Sequence, residues 1–410
     1  MNDEWEVTTV GELATWRGGM TPSMSNPAFW KGGEIPWLSS KEVGGGVLTG
    51  TTRKVTAEAL RGNSLRLADA GSVAVVVRSG ILLHTFPVAY VPFPTTVNQD
   101  VKIGTPFPGV NGRFLAYLLE SEANAILGAY RKTGTTVQSI NVPALLGHKV
   151  RVPSLPVQRR IVDLMGHLDT HLANLESERI SVSHVLDGWL ESWMDAHPQP
   201  GEPMQSLCRF RSGPSWAAKD EHRSPGAGLT PVVKITNTRP DGSMDLSAMA
   251  YVGLLPKSTV LLNERSLIVI RTNGNRERIG NAYIPPPGAH GSAVSAFQFL
   301  GDARSVQSRD YVYWFLRSPR MQRAMSDAAS GTTGLGNLAA GWLHALRLPQ
   351  ANDADVNEFI TVARVLEDAQ SVLRKESANL RTGRQTLLSD LLSRHMEIAD
   401  DYDEFIGMES

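Results

Sequence analysis

Residues 155–193 read LPVQRRIVDLMGHLDTHLANLESERISVSHVLDGWLESW, and two interleaved series recur through this stretch at intervals of seven residues. One series is Ile161, Leu168, Leu175, Val182 and Trp189, and the other is Met165, Leu172, Arg179, Leu186 and Trp193. This alternation of four and three residues is typical of a coiled-coil seam. A helix of about 35 residues at 1.5 Å per residue is roughly 50 Å long. Its apolar seam needs a partner, because a single helix cannot bury it.

The same spacing returns near the other end of the chain, at an offset of 198 residues. The apolar series is Phe359, Leu366, Leu373, Leu380 and Leu387, and the more polar companion series is Ala363, Gln370, Ser377, Arg384 and Leu391. The simplest way to cover both seams is for the two helices to pair with each other, antiparallel. The alternative is that each helix pairs with a different protein.

A repeat covers the whole chain. The matched pairs, at offsets of 193 to 197, are Gly134-Thr135-Thr136 with Gly331-Thr332-Thr333, Arg151-Val152-Pro153 with Arg347-Leu348-Pro349, and Arg78 with Arg271. Both of these last arginines lie 14 residues before a proline, Pro92 or Pro285. Ordered matches at a nearly constant offset indicate an internal duplication. We therefore interpret the chain as two copies of one unit of about 200 residues.

Each copy begins with a mixed domain. The β-branched runs at 73–77 and 267–270 predict buried strands, and 114–126 and 311–325 predict amphipathic helices. The predicted fold class is α+β: two repeated mixed α/β domains, joined by two long helices that form an antiparallel coiled coil with pseudo-twofold symmetry. The predicted divisions are a first mixed domain at 1–153, a central long helix at 154–198, a second mixed domain at 199–350, a C-terminal long helix at 351–398 and an acidic tail at 399–410.

The composition excludes several classes of protein. The net charge is −1, although residues 201–350 hold 17 basic and 10 acidic side chains while residues 351–410 hold 6 and 13. No apolar stretch approaches the 18 residues of a membrane span, and the acidic start does not resemble a signal peptide. Cys208 is the single cysteine, so an intrachain disulfide framework is impossible. We expect a reduced, cytoplasmic location without membrane contact.

The sequence lacks the common signatures of catalysis. It has no dinucleotide loop after a strand, no P-loop, no His-Glu-x-x-His, no Gly-x-Ser-x-Gly and no Asn/Asp-Pro-Pro-Tyr/Phe methyltransferase motif. The ten histidines show no metal-binding spacing. The sequence therefore predicts a protein that is not an enzyme and that holds no metal or cofactor of its own.

Three stretches carry a resemblance to a known family. Gly19-Met20-Thr21-Pro22-Ser23 and the run FWKGGEIPW at 29–37 resemble the start of a target recognition domain in the specificity (S) subunits of type I restriction-modification systems. The segment LPVQRRI at 155–161 resembles the beginning of that family's conserved helix. The second copy lacks the Trp-Gly-Gly-x-Ile-Pro-Trp stretch and retains Thr230-Pro231-Val232-Val233. Together with the repeat and the heptads, the resemblance covers nearly the whole chain.

The resemblance implies a non-catalytic subunit that reads double-stranded DNA. Each recognition domain is expected to read one half of a split, asymmetric site, with the paired helices as a spacer. Two adenine-N6 methyltransferase (M) subunits are expected to dock along the helices, and a translocating restriction (R) subunit is a further partner in such systems. S-adenosylmethionine is expected to bind the methyltransferase, which also flips the target adenine. The alternatives are an S-like subunit of another restriction or phage-defence system, and a coiled-coil scaffold or cryptic enzyme that binds no DNA.

Loop residues with suitable donors are the candidate DNA contacts, because Arg reads guanine, Asn and Gln read adenine, and Lys, Ser and Thr hold phosphates. In the first domain they are Thr21, Ser23, Lys31, Ser39, Ser40, Lys41, Arg78, Asn98, Gln99 and Thr135. In the second domain they are Lys234, Thr236, Asn237, Arg239, Arg271, Asn273, Asn275, Arg276, Arg278 and Thr332. The strongest group is residues 271–276, for which a solvated hairpin is the alternative. Arg78 and Arg271 could instead form structural ion pairs, and Thr135 and Thr332 could be helix caps.

Overall fold

The computed structural model describes residues 5–63, 65–132, 137–331, 335–399 and 402. The chain forms two compact units, which divide inside the long helices: the first unit comprises Met1–Glu176 and Lys375–Ser410, and the second comprises Ser177–Arg374. Each unit therefore contains one mixed α/β domain and half of each long helix. Among the described helices, none is long and apolar enough to cross a membrane.

The first unit packs short helices against small sheets. Its strands are β1 (Glu6–Thr9), β2 (Ala14–Gly18), β3 (Ile35–Leu38), β4 (Arg53–Val55), β5 (Ser72–Val76), β6 (Val88–Val91), β7 (Thr96–Val97), β8 (Val101–Pro106), β9 (Arg131–Lys132), β10 (Ser139–Ile140) and β11 (Lys149–Val152). Its helices are α1 (Val10–Leu13), α2 (Ala57–Arg61), α3 (Gly112–Ser121), α4 (Ala123–Tyr130), α5 (Val142–Leu146) and the first half of α6 (Leu155–Ala196). Short 3-10 helices cover Pro27–Phe29 and Gly80–Leu83.

The second unit repeats this plan. Its strands are β12 (Pro200–Pro203), β13 (Cys208–Ser212), β14 (Glu221–His222), β15 (Thr230–Val233), β16 (Ala250–Val252), β17 (Ser266–Ile270), β18 (Thr272–Asn273), β19 (Ala282–Tyr283), β20 (Ala293–Val294), β21 (Gln298–Ala303), β22 (Gly336–Asn337) and β23 (Arg347–Pro349). Its helices are α7 (Met204–Leu207), α8 (Val306–Arg317), α9 (Pro319–Ala328), α10 (Ala340–Ala345), the second half of α6 and the first part of α11 (Asp353–Leu392). Short 3-10 helices cover Ala218–Asp220, Ile235–Asn237, Arg276–Arg278 and Pro287–Ala289.

The sheets confirm the duplication. The central sheet has the strand order β2-β8-β5-β6 in the first unit and β13-β21-β17-β19 in the second. A second sheet is ordered β4-β3-β7 in one unit and β14-β16-β15-β20 in the other. The β-branched strands β5 and β17 are buried along their whole length, which explains why their sequences are runs of apolar residues rather than alternating ones.

The helices that follow the central sheets correct one detail of the prediction. Each expected single helix is in fact two, α3 followed by α4 and α8 followed by α9. In the second unit the break has a clear cause: the Ser318 side chain caps α9 by accepting from the N–H of Met321, and Pro319 occupies the first turn. Pro is favoured at that position and interrupts a preceding helix, so the sequence restarts the helix there.

The long helices pair antiparallel, as the seams predict. In the first unit Ile161 and Met165 share one core with Leu388 and Leu391. In the second unit the rings of Trp193 and Phe359 stack with centroids 4.3 Å apart. Within each unit, residues further along α6 contact residues that come earlier in the C-terminal part of the chain, as expected for antiparallel helices. The pairs are Asp163 with Tyr402 and Asp169 with Arg384 in the first unit, and Trp189 with Phe359 and His197 with Asp355 in the second.

A buried arginine joins the first recognition domain to both helices. Arg384 is 8% exposed, and its Nε donates to Asp169 Oδ1 at 2.6 Å. Its Nη1 donates to Glu120 Oε1 of α3 at 2.6 Å, and the Tyr117 hydroxyl also donates to Asp169. Burial alone lowers the pKa of the Arg384 guanidinium, but the hydrogen bonds and charges of Glu120 and Asp169 outweigh it and raise the pKa. The Arg384 guanidinium therefore stays charged, and its bonds fix α3 on the helix pair.

Candidate nucleic-acid interface

In the first unit, a tight turn at residues 98–101 links β7 to β8. The backbone N–H of Asn98 donates to Leu38 O at 2.9 Å, and the Asn98 side chain accepts from the N–H of Asp100 at 3.1 Å. Asn98 itself is buried, whereas Gln99 is exposed at the corner. Asn98 therefore holds the turn, and Gln99 and Asp100 are presented at its tip.

Arg78 lies beside this turn, at the end of β5. The backbone N–H groups of Val77 and Arg78 donate to Asp100 O at 2.9 and 3.3 Å. The Arg78 side chain is 61% exposed, and its Nε lies 4.0 Å from Asp100 Oδ1. Such an exposed pair contributes little to stability. The Arg78 guanidinium is therefore positioned by the backbone but available for a phosphate or a base.

The loop after β2 reaches the same turn. Thr21 Oγ1 donates to Gln99 Oε1 at 2.9 Å, and the hydroxyls of Ser23 and Ser25 hydrogen-bond at 2.9 Å. A Cβ added to Gly19 would lie 1.7 Å from Val97 O, so the close approach of this loop to β7 requires glycine. Thr21, Arg78, Asn98 and Gln99, predicted from separate parts of the sequence, thus come together.

The loop after β3 is closed by a carboxylate. Glu42 Oε2 accepts from the N–H and hydroxyl of Ser39, at 2.9 and 2.8 Å, and Oε1 accepts from the N–H of Thr52 at 2.6 Å. Burial raises the pKa of Glu42, but these hydrogen bonds outweigh it and lower the pKa. Ser39 therefore has a structural bond, Ser40 is half-buried, and Lys41 is exposed on the closed loop. Lys31 is exposed on the loop before β3.

The second unit has the equivalent turn at residues 295–298, between β20 and β21. The Gln298 N–H donates to Ser295 O at 2.9 Å, and the Ser295 hydroxyl donates to Gln298 Oε1 at 2.8 Å. The Ser295 N–H also donates to Val233 O at 3.1 Å. Ala296 and Phe297 occupy the corner, and Phe297 is 53% exposed.

The repeat in the sequence pairs Arg271 with Arg78, but the strand registers place Arg271 at the position of Val77 and Thr272 at that of Arg78. The Arg271 guanidinium is held in place. Its Nη1 donates to Ser212 Oγ at 3.0 Å and to Ala296 O at 3.4 Å. The guanidinium carbon also lies 5.7 Å from the centroid of the Phe299 ring, within the range of a cation–π contact. The Arg271 N–H donates to Phe297 O at 2.9 Å, as the Val77 N–H does to Asp100 O in the first unit. Arg271 is therefore half-buried and pre-oriented.

The loop after Arg271 meets the segment that carries the Gly-Thr-Thr repeat. Thr272 Oγ1 donates to Asn337 Oδ1 at 2.8 Å, and Arg276 Nη2 donates to Gly331 O at 3.1 Å. Asn273 and Asn275 accept from backbone N–H groups two residues further on, which leaves their amide donors for other partners. In the first unit the corresponding contact is the Ser79 N–H to Gln138 O, at 3.0 Å. Thr135 and Thr332 themselves lie outside the described residues.

Four further candidates of the second domain are engaged within the protein. Lys234 Nζ lies 2.6 Å from Glu221 Oε1, and Arg239 Nη2 lies 2.6 Å from Asp245 Oδ2. Asn237 is 2% exposed, and its amide donates to Asp245 O and Ala248 O. Arg278 Nη2 donates to the Thr238 carbonyl at 2.9 Å. These bonds hold the loop after β15 in shape, and Thr236 is exposed on it.

Sequence reasoning identified the corner at Asn98 and Gln99 but missed its equivalent at Ser295, Ala296 and Phe297. The repeat offset of 197 that relates β8 to β21 was the available signal. It also missed the exposed Arg17 and Arg211, which occupy the same position on the edge strands β2 and β13.

Within the described part of the chain, no group of three or more His, Cys, Asp or Glu side chains is arranged to hold a metal. Burial, with a smaller effect of the Asp302 charge, raises the pKa of Cys208 to about 12, so this thiol stays protonated and unreactive at neutral pH. The interface therefore offers hydrogen-bond donors and cations.

Comparison with known proteins finds relatives of the N-terminal part of the chain. The family described as "Type I restriction modification DNA specificity domain" matches residues 2–182. The Escherichia coli "Type I restriction enzyme EcoR124I/EcoR124II specificity subunit" is 38% identical over 167 residues, which is 41% of this chain and 41% of that protein. The match thus spans less than half of the relative's length. Residues 2–182 therefore resemble a type I restriction modification DNA specificity domain.

Solved structures extend the likeness to both units. The S subunit of a type I restriction-modification system from M. genitalium aligns with a TM-score of 0.53 and 14% identity, over 97% of this chain and 98% of that one. A chain from a study of assembly and conformational transition of the type I R-M system aligns with a TM-score of 0.55 and 13% identity, over 94% and 97%. At these identities the likeness establishes a shared fold.

Proposed function

We propose that this chain is the DNA specificity subunit of a type I restriction-modification complex, in which each unit reads one half of a bipartite, asymmetric site. The observation that carries the proposal is the pair of equivalent turns, 98–101 and 295–298, each beside an arginine at the end of a buried strand. The two turns have the same backbone connections but different side chains. Equivalent readers with different side chains fit a site whose two halves differ.

The chemistry of the turns supports DNA as the ligand. Arg, Asn and Gln are the residues that recognise guanine and adenine edges in the major groove. Arg78 and Gln99 are exposed in the first unit, and Asn275 and Arg276 are exposed in the second. These groups lie on loops that a rigid sheet positions, which is where binding residues concentrate.

Catalysis is assigned to partners. The long helices supply each unit with an equivalent half of a helix pair, which supports the docking of two adenine-N6 methyltransferase subunits. S-adenosylmethionine is expected to bind those subunits, and restriction subunits are expected to join the methyltransferase complex. The net charge of −1 is low for tight DNA binding, since affinity for DNA depends on phosphate neutralisation. We therefore expect the isolated chain to bind DNA weakly and to gain specificity with its methyltransferase.

Co-expression with an adenine methyltransferase encoded beside it, followed by sequencing of methylated sites, tests the proposal. We expect a stable complex and one split motif. Exchange of residues 1–150 for the same domain of a related protein should change one half of that motif and leave the other intact. A complex that methylates no defined motif, or an exchange that changes both halves, would contradict the proposal.

A further inference from the structure

We infer that Phe297 is a specificity-determining residue of the second unit, whose phenyl ring contacts the C5 methyl group of a thymine in the major groove. The inference rests on the proposed function and names one base contact within it. Apolar contact with the thymine methyl is an established means of direct readout, and phenylalanine is among the side chains that make it.

Exposure alone carries no argument, because single exposed apolar side chains are ordinary on protein surfaces. What distinguishes Phe297 is the rigidity of its support. The carbonyl of Phe297 accepts from the N–H groups of Arg271 and Thr272, at 2.9 and 3.1 Å. The Ser295–Gln298 hydrogen bonds close the turn on either side of it. The backbone therefore fixes the point from which a large apolar ring, 53% exposed, projects into water.

The neighbours of Phe297 are donors suited to DNA. Arg271 lies directly beside it, and the Arg271 guanidinium is tied to Ala296 O of the same turn. Asn273 and Asn275 follow in the next loop. A ring that presents an apolar surface among such donors can contact a methyl group while its neighbours bond to base edges or phosphates. A phenyl ring without such donors beside it would have no neighbours to bond to the bases or phosphates.

The equivalent position in the first unit has the opposite chemistry. Asp100 takes the place of Phe297, and its carbonyl accepts from the N–H groups of Val77 and Arg78 just as the Phe297 carbonyl accepts from those of Arg271 and Thr272. A carboxylate accepts hydrogen bonds from amino groups such as cytosine N4, whereas a phenyl ring favours the methyl group of thymine. The corner of the turn is thus the place where the two readers differ most in what they can recognise.

Removal of single thymine methyl groups tests the inference directly. The complete complex of the full chain with its methyltransferase would be assayed on duplexes in which each thymine of the second half-site is replaced, one at a time, by deoxyuridine. The wild-type complex should lose roughly 3–10-fold in methylation rate at one position, as expected for the loss of one buried methyl group. The Phe297→Ala complex should be slower on the normal site and indifferent to deoxyuridine at that position.

Two further variants serve as controls. Phe107→Ala removes a similarly exposed phenyl ring, 43% exposed, from the first unit and should keep the wild-type sensitivity. Phe297→Leu keeps an apolar side chain and should retain part of the sensitivity. The inference is overturned if no thymine methyl matters to the wild type, if the second half-site has no thymine, or if Phe297→Ala stays as sensitive as the wild type. A wild-type complex without any defined motif would instead refute the proposed function.

Discussion

The turn at 98–101 and the turn at 295–298 occupy equivalent places in the two units but handle their arginines differently. Arg78 is exposed and lies 4.0 Å from a carboxylate, whereas Arg271 is fastened by Ser212 and by the turn itself. The first arrangement leaves a cation exposed to solvent, and the second fixes the direction of a guanidinium. The two copies thus share one backbone arrangement, but the first offers an exposed positive charge and the second offers a guanidinium in a fixed orientation.

In both units the segment after the first strand of the central sheet passes close to the backbone just before the turn. A Cβ added to Gly213 would lie 2.1 Å from Val294 O, much as Gly19 meets Val97 in the first unit. Both positions therefore require glycine for the same reason. Because the glycine below each turn is fixed while the side chains at its corner differ, the recognised half-site could change without loss of the fold.

The largest expected effect is on stability, and it compares the ion pairs that attach each domain to the long helices. Arg384→Met should destabilise the first unit by about 3–5 kcal/mol, because it leaves the carboxylates of Glu120 and Asp169 without their buried partner. Arg320→Met in the second unit removes contacts to Glu191 and Asp195 that are half exposed, and should cost less than about 1 kcal/mol. Hydrogen exchange resolved by unit measures both. Equal losses in the two variants would contradict the distinction.

The next effect concerns the fixed arginine. Arg271→Ala should weaken methylation by about 1–3 kcal/mol, roughly 10–100-fold, and relax one position of the second half-site, because a pre-oriented guanidinium suits bidentate contact with a base. Sequencing of methylated sites gives the position, and methylation rates give the size. Thermal unfolding of the variant separates lost recognition from lost stability. A uniform loss without a change of motif would show that Arg271 contacts a phosphate.

Arg78→Ala should act more weakly and in a different way. An exposed cation is expected to contact phosphate, so its removal should reduce binding to all sequences alike and lower the salt slope by about one. Titration of DNA binding by the complete complex at several salt concentrations measures this. Asp100→Asn is the matched variant, since it removes the nearby negative charge and keeps the shape. If Arg78→Ala changed the motif instead, the contrast with Arg271 would disappear.

The smallest effect is a response to acid. Bonds from Ser247 and Arg239 lower the pKa of Asp245 to about 2, and hydrogen bonds also lower that of Glu42. A lowered pKa means that the stabilising contribution is present above the ordinary value, 3.8 for Asp245, and is lost as the pH falls towards 2. Protection of the backbone amides in the loops after β3 and β15, expressed relative to the intrinsic exchange rate at each pH, should therefore fall on acidification. Asp245→Asn and Glu42→Gln should remove that dependence in their own unit only.

Periodic features were predictable from the sequence. The heptads located α6 and α11 to within a few residues, and the valine-rich runs located β5 and β17. The divided helices were harder, because the apolar pattern continues across the break before Pro319. The apolar pattern shows which face of a helix is buried, but it does not show where one helix ends and the next begins.

The candidate interface was only partly predictable because its residues meet through long-range backbone bonds. Polar composition drew attention to Asn98 and Gln99, whereas Ala296 and Phe297 have no such signature. Their position depends on the bond from the Arg271 N–H to Phe297 O, which joins residues far apart in the sequence. Composition also could not separate Arg276, exposed at a loop, from Asn237, which is buried and closes one.

The division of the long helices has a consequence for synthesis on the ribosome. The second unit is one continuous segment, Ser177–Arg374, whereas the first needs Lys375 onwards to complete it. At roughly 5–20 residues per second, the roughly 200 intervening residues take about 10–40 s to translate. During that time Leu388 and Leu391 have not yet been synthesised, so they cannot cover Ile161 and Met165 in the first part of α6. The domain that is translated first should therefore be finished last, and a nascent chain stalled before residue 375 should expose it to proteases and chaperones.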